Sequence, residues 1–344
     1  MNKTIPIFLI LIFTSITVFS QSKPISIIPF TLEKNSIYLY CKVNDVDSLK
    51  FLFDTGADGS VINESVKNKV NLKIDGESLN IGSNGSNIVE LSSSNTVTIG
   101  DLIQNNVSLT IIPFGTTAFD GIIGTDLMKN YVIEIDYEKK ELRFFSPKTY
   151  NNDLSLYKKS KLYFPSNYLS IKSSITVNGK KFKGYFGLDT GADDVLTLAS
   201  PFSQKHKLLE KTTTIGASIS QGSDGSTYEA PLVIIPEIRF SDYRFYRVFT
   251  SLPNSSEGGN ATKDKAGFYG NLFLKRFDIV LDIPNKFIYF KPNNNLYTDL
   301  WKSKKADNIT YTQEGVSCFV GQQSGKFEVQ YFVGSSVVKC PACV

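Results

Sequence analysis

Asp54 and Asp189 stand in nearly the same surroundings, FDTGADGS at 53–60 and LDTGADDV at 188–195, 135 positions apart (189 − 54 = 135). Each ends an apolar run that reads as a buried strand, so each carboxylate is partly desolvated. Gly56 and Gly191, two residues on, let the backbone turn tightly and come close to a ligand. Thr55 and Thr190 can send their hydroxyls to backbone groups of the opposite loop and fix both loops. Related by an approximate two-fold axis, the two turns bring their carboxylates face to face. At that separation both cannot ionise, and they share one proton. One member is then a base that activates water, and the other an acid that polarises a carbonyl. A reaction that needs the pair explains a turn written twice.

Stepping outward from the turns, the duplication extends along the chain. IYLYCKVNDVDSLKFLFDTGADGSVI in the first half matches YLSIKSSITVNGKKFKGYFGLDTGADDVLTL in the second. LNIGSNGSNIVEL at 79–91 matches TTIGASISQGSDGSTYEA at 213–230, each a Gly/Ser-rich hairpin tip between β-prone stretches. Alternating segments follow in both halves. Residues 120–147 and 266–292 then each carry an apolar-apolar-Gly step, a short helical stretch and two strands around a turn. The repeat is too long for a solenoid and signals two similar lobes. Short strands with period-2 alternation and little helix predict an all-β chain of two closed or partly closed sheets. The expected division is a first lobe at 25–149, a polar linker at 150–160, a second lobe at 161–292 and a tail or incomplete appended module at 293–344.

The chain has 344 residues, is 41% apolar and carries a formal charge of only +4, with no basic stripe, so nucleic acid is not implied as a partner. Its one histidine, His206, lies in QKHKLL without a nucleophile elbow, and reads as an exposed side chain near a short helix. A lone histidine rules out histidine-based zinc sites, and no phosphate-binding glycine loop is present. The turns lack the alternating acidic order and distal Glu of a calcium loop. Neither a cofactor nor a metal is expected.

LDTGADDVL resembles the active-site pattern of the aspartic proteases, most closely the retroviral-type members (retropepsins) and their bacterial relatives. IIGTDLM and, in the second half, FYGNLFL resemble the element that packs behind that loop. The resemblance spans roughly residues 30–292. It implies a bilobal protease fold with a cleft between retropepsin-like β-barrel lobes, formed within one chain and therefore by a monomer. It implies Asp54 and Asp189 as the catalytic pair, Thr55, Gly56, Ala57, Thr190, Gly191 and Ala192 as the active-site loops, and peptides or proteins as substrates. Hairpins closing over the substrate are expected at Ile81–Asn87 and Ile215–Gly225, with Gly82, Gly85, Gly216 and Gly222 facing it. Asp58 and Asp193 match the Asp that in retropepsins touches the substrate backbone and pairs with an Arg; here Thr125 or Asn271 stands where that Arg would be. Pepsin-type loops often continue D-T-G-S, whereas Ala57 and Ala192 supply no hydroxyl. Fewer donors keep a carboxyl pKa higher, which predicts a mildly acidic to near-neutral optimum. A binding protein that kept the cleft and lost catalysis is the alternative on the same fold, and the two intact D-T-G turns favour the enzyme.

Residues 5–19, IPIFLILIFTSITVF, follow Lys3 and precede a small-residue junction at Val18-Phe19-Ser20. This reads as a signal peptide over 1–20 and an exported protein, periplasmic or extracellular, with no stable membrane span after cleavage. Four cysteines, Cys41, Cys318, Cys340 and Cys343, are too few for a disulfide scaffold, and the CPAC spacing reads as a tail pair.

Overall fold

The computed structural model describes residues 21–115 and 119–298, and the backbone of short strands between 317 and 339. The expected leader, Cys340 and Cys343 lie outside the described residues. Within them the chain is all-β and two-lobed, as the repeat predicts.

In the first lobe Ser36–Val43, Val46–Phe53, Gly121–Ile123, Val61–Asn63, Leu102–Ile112 and Ser86–Ile99 follow one another around a sheet, and pairing of Ser36–Val43 with Ser86–Ile99 closes it into a barrel. The second lobe repeats the ring with Ser170–Val177, Lys180–Asp189, Gly267–Gly270, Leu196–Leu198, Tyr243–Ser251 and Thr227–Phe240, closed between the first and last of these. Closure removes sheet edges that would otherwise invite association. The turn that starts each repeat is made by Asn44 (φ 51°) and Asn178 (φ 50°), a residue type that tolerates the left-handed region. In each lobe one hairpin reaches beyond the barrel, Gly76–Ile81 with Ser86–Ile99 and Thr214–Gln221 with Thr227–Phe240.

A third, six-stranded sheet joins the lobes. At its centre Val132–Asp136 runs antiparallel to Phe277–Asp282, with Ile133 opposite Leu281 and Ile135 opposite Ile279. All four are buried, so one apolar core continues through both lobes. The outer strands are Ser26–Pro29 on Glu141–Phe145 and Lys158–Lys161 on Phe287–Pro292. The last of these differs from the sequence expectation. The polar KKSK run at the end of the 150–160 linker is an edge strand that begins the second lobe, as Ser26–Pro29 begins the first. An edge strand with both faces wet needs no apolar alternation, and its Lys159 Nζ lies 3.6 Å from the centroid of the Phe287 ring. The second lobe also runs past residue 292 into a short turn of helix, Asn294–Tyr297, that buries Leu296. Among the described residues no helix is long and apolar enough to cross a membrane.

Candidate active site

Phe51, Leu52 and Phe53 are buried in a strand that pairs in parallel with Gly121–Ile123, and Asp54 follows where that pairing ends. In the second lobe the strand to Asp189 pairs in parallel with Gly267–Gly270. Each D-T-G turn is therefore held from behind by its own lobe and faces the other lobe. Thr55 and Thr190 join them. The Thr55 N–H donates to Thr190 Oγ1 (3.0 Å) and the Thr190 N–H to Thr55 Oγ1 (3.1 Å). Thr55 Oγ1 in turn donates to the Leu188 carbonyl and Thr190 Oγ1 to the Phe53 carbonyl, both at 2.7 Å. Beneath this clasp lie Ile135, Leu169, Leu188, Leu274 and Ile279, an apolar floor that keeps water from competing for these bonds.

The clasp sets the two carboxyl groups against one another. A Cβ on Gly56 would lie 2.5 Å from Asp189 Cγ, and one on Gly191 would collide with the Asp54 carboxyl, so only glycine fits at either place. Their donors differ. Asp54 Oδ1 accepts the Gly56 N–H (2.7 Å). Asp189 Oδ1 accepts the N–H groups of Gly191 (3.0 Å) and Ala192 (2.9 Å), and Asp189 Oδ2 accepts the Tyr168 hydroxyl at 2.5 Å. Burial first, and the Asp189 charge second, push the Asp54 carboxyl well above the usual carboxylate range. A raised member beside a second carboxylate is the electrostatic signature of a pair holding one proton between them.

Tyr168 is a site residue that sequence reasoning missed. Ala57 and Ala192 supply no hydroxyl, as expected, yet Asp189 has one from outside its loop. For Asp189 the hydroxyl that its loop lacks is supplied by Tyr168. Burial first, then the neighbouring Asp189 and Asp54 charges, hold the Tyr168 phenol well above its ordinary value, so it remains a donor. Lys265 Nζ sits 3.4 Å from the centroid of the Tyr168 ring. Burial pushes the Lys265 ammonium down to about 8, against the opposing effect of Asp189.

Thr125 and Asn271 hold the loops from behind with neutral donors. The Thr125 N–H (2.9 Å) and hydroxyl (3.1 Å) donate to the Ala57 carbonyl, and the Asn271 N–H donates to the Ala192 carbonyl (2.7 Å). Asp58 and Asp193, in the positions that would pair with an Arg, are exposed at the ends of the turns. Asp194, next along, accepts the Thr197 hydroxyl at 2.8 Å. Burial raises its carboxyl to about 6.

The projecting hairpins meet at their tips. The first turns at Gly82 to Gly85, where the Gly82 N–H donates to the Gly85 carbonyl (3.0 Å); the second turns at Gly222 to Ser226 (2.9 Å). Ser223 Oγ donates across to Asn80 Oδ1 (3.1 Å), and Asp224 packs against Gly82, Gly85 and Gly222 so closely that a Cβ on any of them would crowd it. A loop of the second lobe also grips the first tip, with the Gly259 N–H on the Gly82 carbonyl (2.8 Å) and the Asn260 N–H on the Ser83 carbonyl (2.9 Å). Gly216 is not part of this tip. It lies back along the exposed strand at a bulge, with nothing within 4 Å of where a Cβ would be.

His206 caps the short helix Ser200–Lys205 and is half-buried between the rings of Phe182 and Phe202, 4.4 and 4.8 Å away by centroid, rather than exposed. Cys41 is buried and unpaired. Among the described residues no group of His, Cys, Asp or Glu could hold a metal ion. The chain has no significant match among curated proteins. Residues 39–127, from the barrel strand before Asp54 to the helix behind its loop, match the family model of the aspartyl proteases.

Proposed function

We propose that this chain is a single-chain aspartic endopeptidase that hydrolyses peptide bonds with a water activated between Asp54 and Asp189, acting as an exported monomer without a cofactor. The observation that carries the reading is the reciprocal exchange between Thr55 and Thr190, which holds two D-T-G turns carboxyl to carboxyl. The family match over 39–127 supports peptidase chemistry for the first turn, and the repeat extends it to the second. The joined hairpins suit an extended peptide that enters beneath them, with Gly82, Gly85 and Gly222 at the roof and Asp58 and Asp193 at the exposed ends of the two loops. A water held by both carboxyls attacks the scissile carbonyl; one carboxylate takes its proton while the other carboxyl protonates the carbonyl oxygen.

Cleavage of a peptide library by the wild type, Asp54→Asn and Asp189→Asn tests the reading. Each substitution is expected to lower kcat/KM by about 10⁴-fold or more, because the pair acts as a unit. Cleavage that survives either change overturns it.

A further inference from the structure

The proton shared by the two carboxyls is not shared evenly. An ionised carboxylate only accepts hydrogen bonds, so the member with more donors is the better carboxylate. Asp189 has three, from the Gly191 and Ala192 N–H groups and the Tyr168 hydroxyl, whereas Asp54 has backbone donors, the Gly56 N–H of its own loop and the Gly191 N–H across the pair, and no hydroxyl donor among the described residues. We infer that Tyr168 is a positioning residue that decides which member of the pair is charged: by donating to Asp189 Oδ2 it holds Asp189 as the base and leaves Asp54 as the acid. The inference rests on the endopeptidase reading above and adds a direction to it. The water oxygen bonds to the carbonyl carbon, the water proton passes to Asp189, and the Asp54 proton passes to the carbonyl oxygen. The product of this step is a neutral diol, with Asp189 protonated and Asp54 ionised.

Tyr168 is built to do this. It follows a tight turn, Pro165–Asn167, in which Ser166 (φ 47°) and Asn167 (φ 60°) are left-handed and the Tyr168 N–H closes on the Pro165 carbonyl (2.9 Å). Its ring lies where a Cβ on residue 187 would be, a space left open because that residue is glycine. Ser166 Oγ donates to Asp264 Oδ2 (2.6 Å), which ties this turn to the segment that carries Lys265. The Lys265 ammonium on the ring face draws electron density from the phenol and makes its hydroxyl a stronger donor. The first lobe has no counterpart. Left-handed pairs at Lys34-Asn35 and Ser166-Asn167 precede strands that pair Tyr38 with Leu52 and Ser170 with Gly187, so the position matching Tyr168 is Ser36 (168 − 132 = 36), whose hydroxyl donates to the Gly191 carbonyl (3.4 Å) and not to a carboxyl. Besides Tyr168 and Lys265, Asp194 and Tyr228 lie within electrostatic reach of Asp189.

The test is a pH titration of the full chain labelled with carboxyl-¹³C aspartate, read by NMR in the wild type, Tyr168→Phe and Lys265→Met. Asp54→Asn and Asp189→Asn assign the two signals. In the wild type the upper midpoint is expected to belong to Asp54. Tyr168→Phe keeps the ring and its packing, and is expected to raise the Asp189 midpoint by about one pH unit, the loss of one charge-assisted hydrogen bond. Lys265→Met is expected to move it in the same direction. The acid limb of kcat/KM should move up by the same interval. A lower midpoint on Asp54, or an Asp189 midpoint that Tyr168→Phe leaves in place, overturns the inference. The titration needs no turnover, so a wild type that cleaves no peptide would defeat the endopeptidase reading while the midpoints still decide the role of Tyr168.

Discussion

Tyr137 donates its hydroxyl to Asn271 Oδ1 at 2.5 Å across the boundary between the lobes, and both side chains are buried. Asn271 Nδ2 donates in the same direction, to the Asn35 carbonyl (2.6 Å), while its N–H supports the loop of Asp189 through the Ala192 carbonyl. One small amide thus stitches the lobes together directly behind the second D-T-G turn. Asn271→Leu, close in volume, leaves the Tyr137 hydroxyl and the Asn35 carbonyl without their partner. It is expected to lower unfolding stability by about 2–5 kcal/mol, measured by urea denaturation. An unchanged midpoint would mean that the stitch is idle.

Thr55→Val removes the hydroxyl that accepts the Thr190 N–H and donates to the Leu188 carbonyl. Two buried groups lose a bond in an apolar surround, at an expected cost of about 2–4 kcal/mol in unfolding free energy. Thr190→Val acts on the mirror-image pair. Because the two hydroxyls belong to one network, the double variant should cost less or more than the sum of the singles, as a double-mutant cycle would reveal. Strict additivity would contradict the clasp.

Asp194 makes stability depend on pH. Burial raises its folded-state carboxyl from the ordinary 3.8 to about 6, so the folded chain holds this proton more tightly than the unfolded chain. Its stabilising contribution is fully present below about pH 4 and is lost as the pH rises through about 6. Asp194→Asn keeps an oxygen for the Thr197 hydroxyl and removes the ionisation. The variant is expected to gain on the wild type between pH 4 and 7, by about 2 kcal/mol at the upper end. Parallel urea midpoints across that range would count against a raised Asp194 carboxyl.

Gly258 grips the first hairpin tip with φ 72°, and a Cβ there would press on the Gly82 carbonyl and the N–H groups of Asn84 and Gly85. Gly258→Ala is expected to release the tip. Hydrogen exchange should quicken, by about tenfold or more, at Gly82 and Gly85 and at Gly259 and Asn260, whose N–H groups close the joint, while the barrel amides keep their protection. Faster exchange spread over the whole lobe would indicate general loosening in place of a freed roof.

The two facing D-T-G turns were legible because everything that marks them is local: an apolar strand, an Asp, a Thr and a Gly within four positions, written twice. The barrels were legible for the same reason, through alternation and turn residues. The strand Lys158–Lys161 was not, since an edge strand with wet faces has the composition of a linker. Gly216 was drawn into the hairpin tip by its glycine, when it marks a bulge in a strand. Tyr168 left no mark at all. Its approach to Asp189 depends on a left-handed turn at Ser166 and Asn167 and on the empty space at Gly187, neither of which has a spacing rule.

The hydroxyl beside Asp189 has a genealogical meaning. A protease assembled from two identical chains must place the same group beside both of its acids, so a tyrosine admitted on one side would be admitted on the other and would fill the space a substrate needs. Once the copies are fused, one can acquire the aromatic while its twin retains a serine. Covalent linkage lets such a molecule keep an almost symmetrical frame and carry out a reaction that has a left and a right.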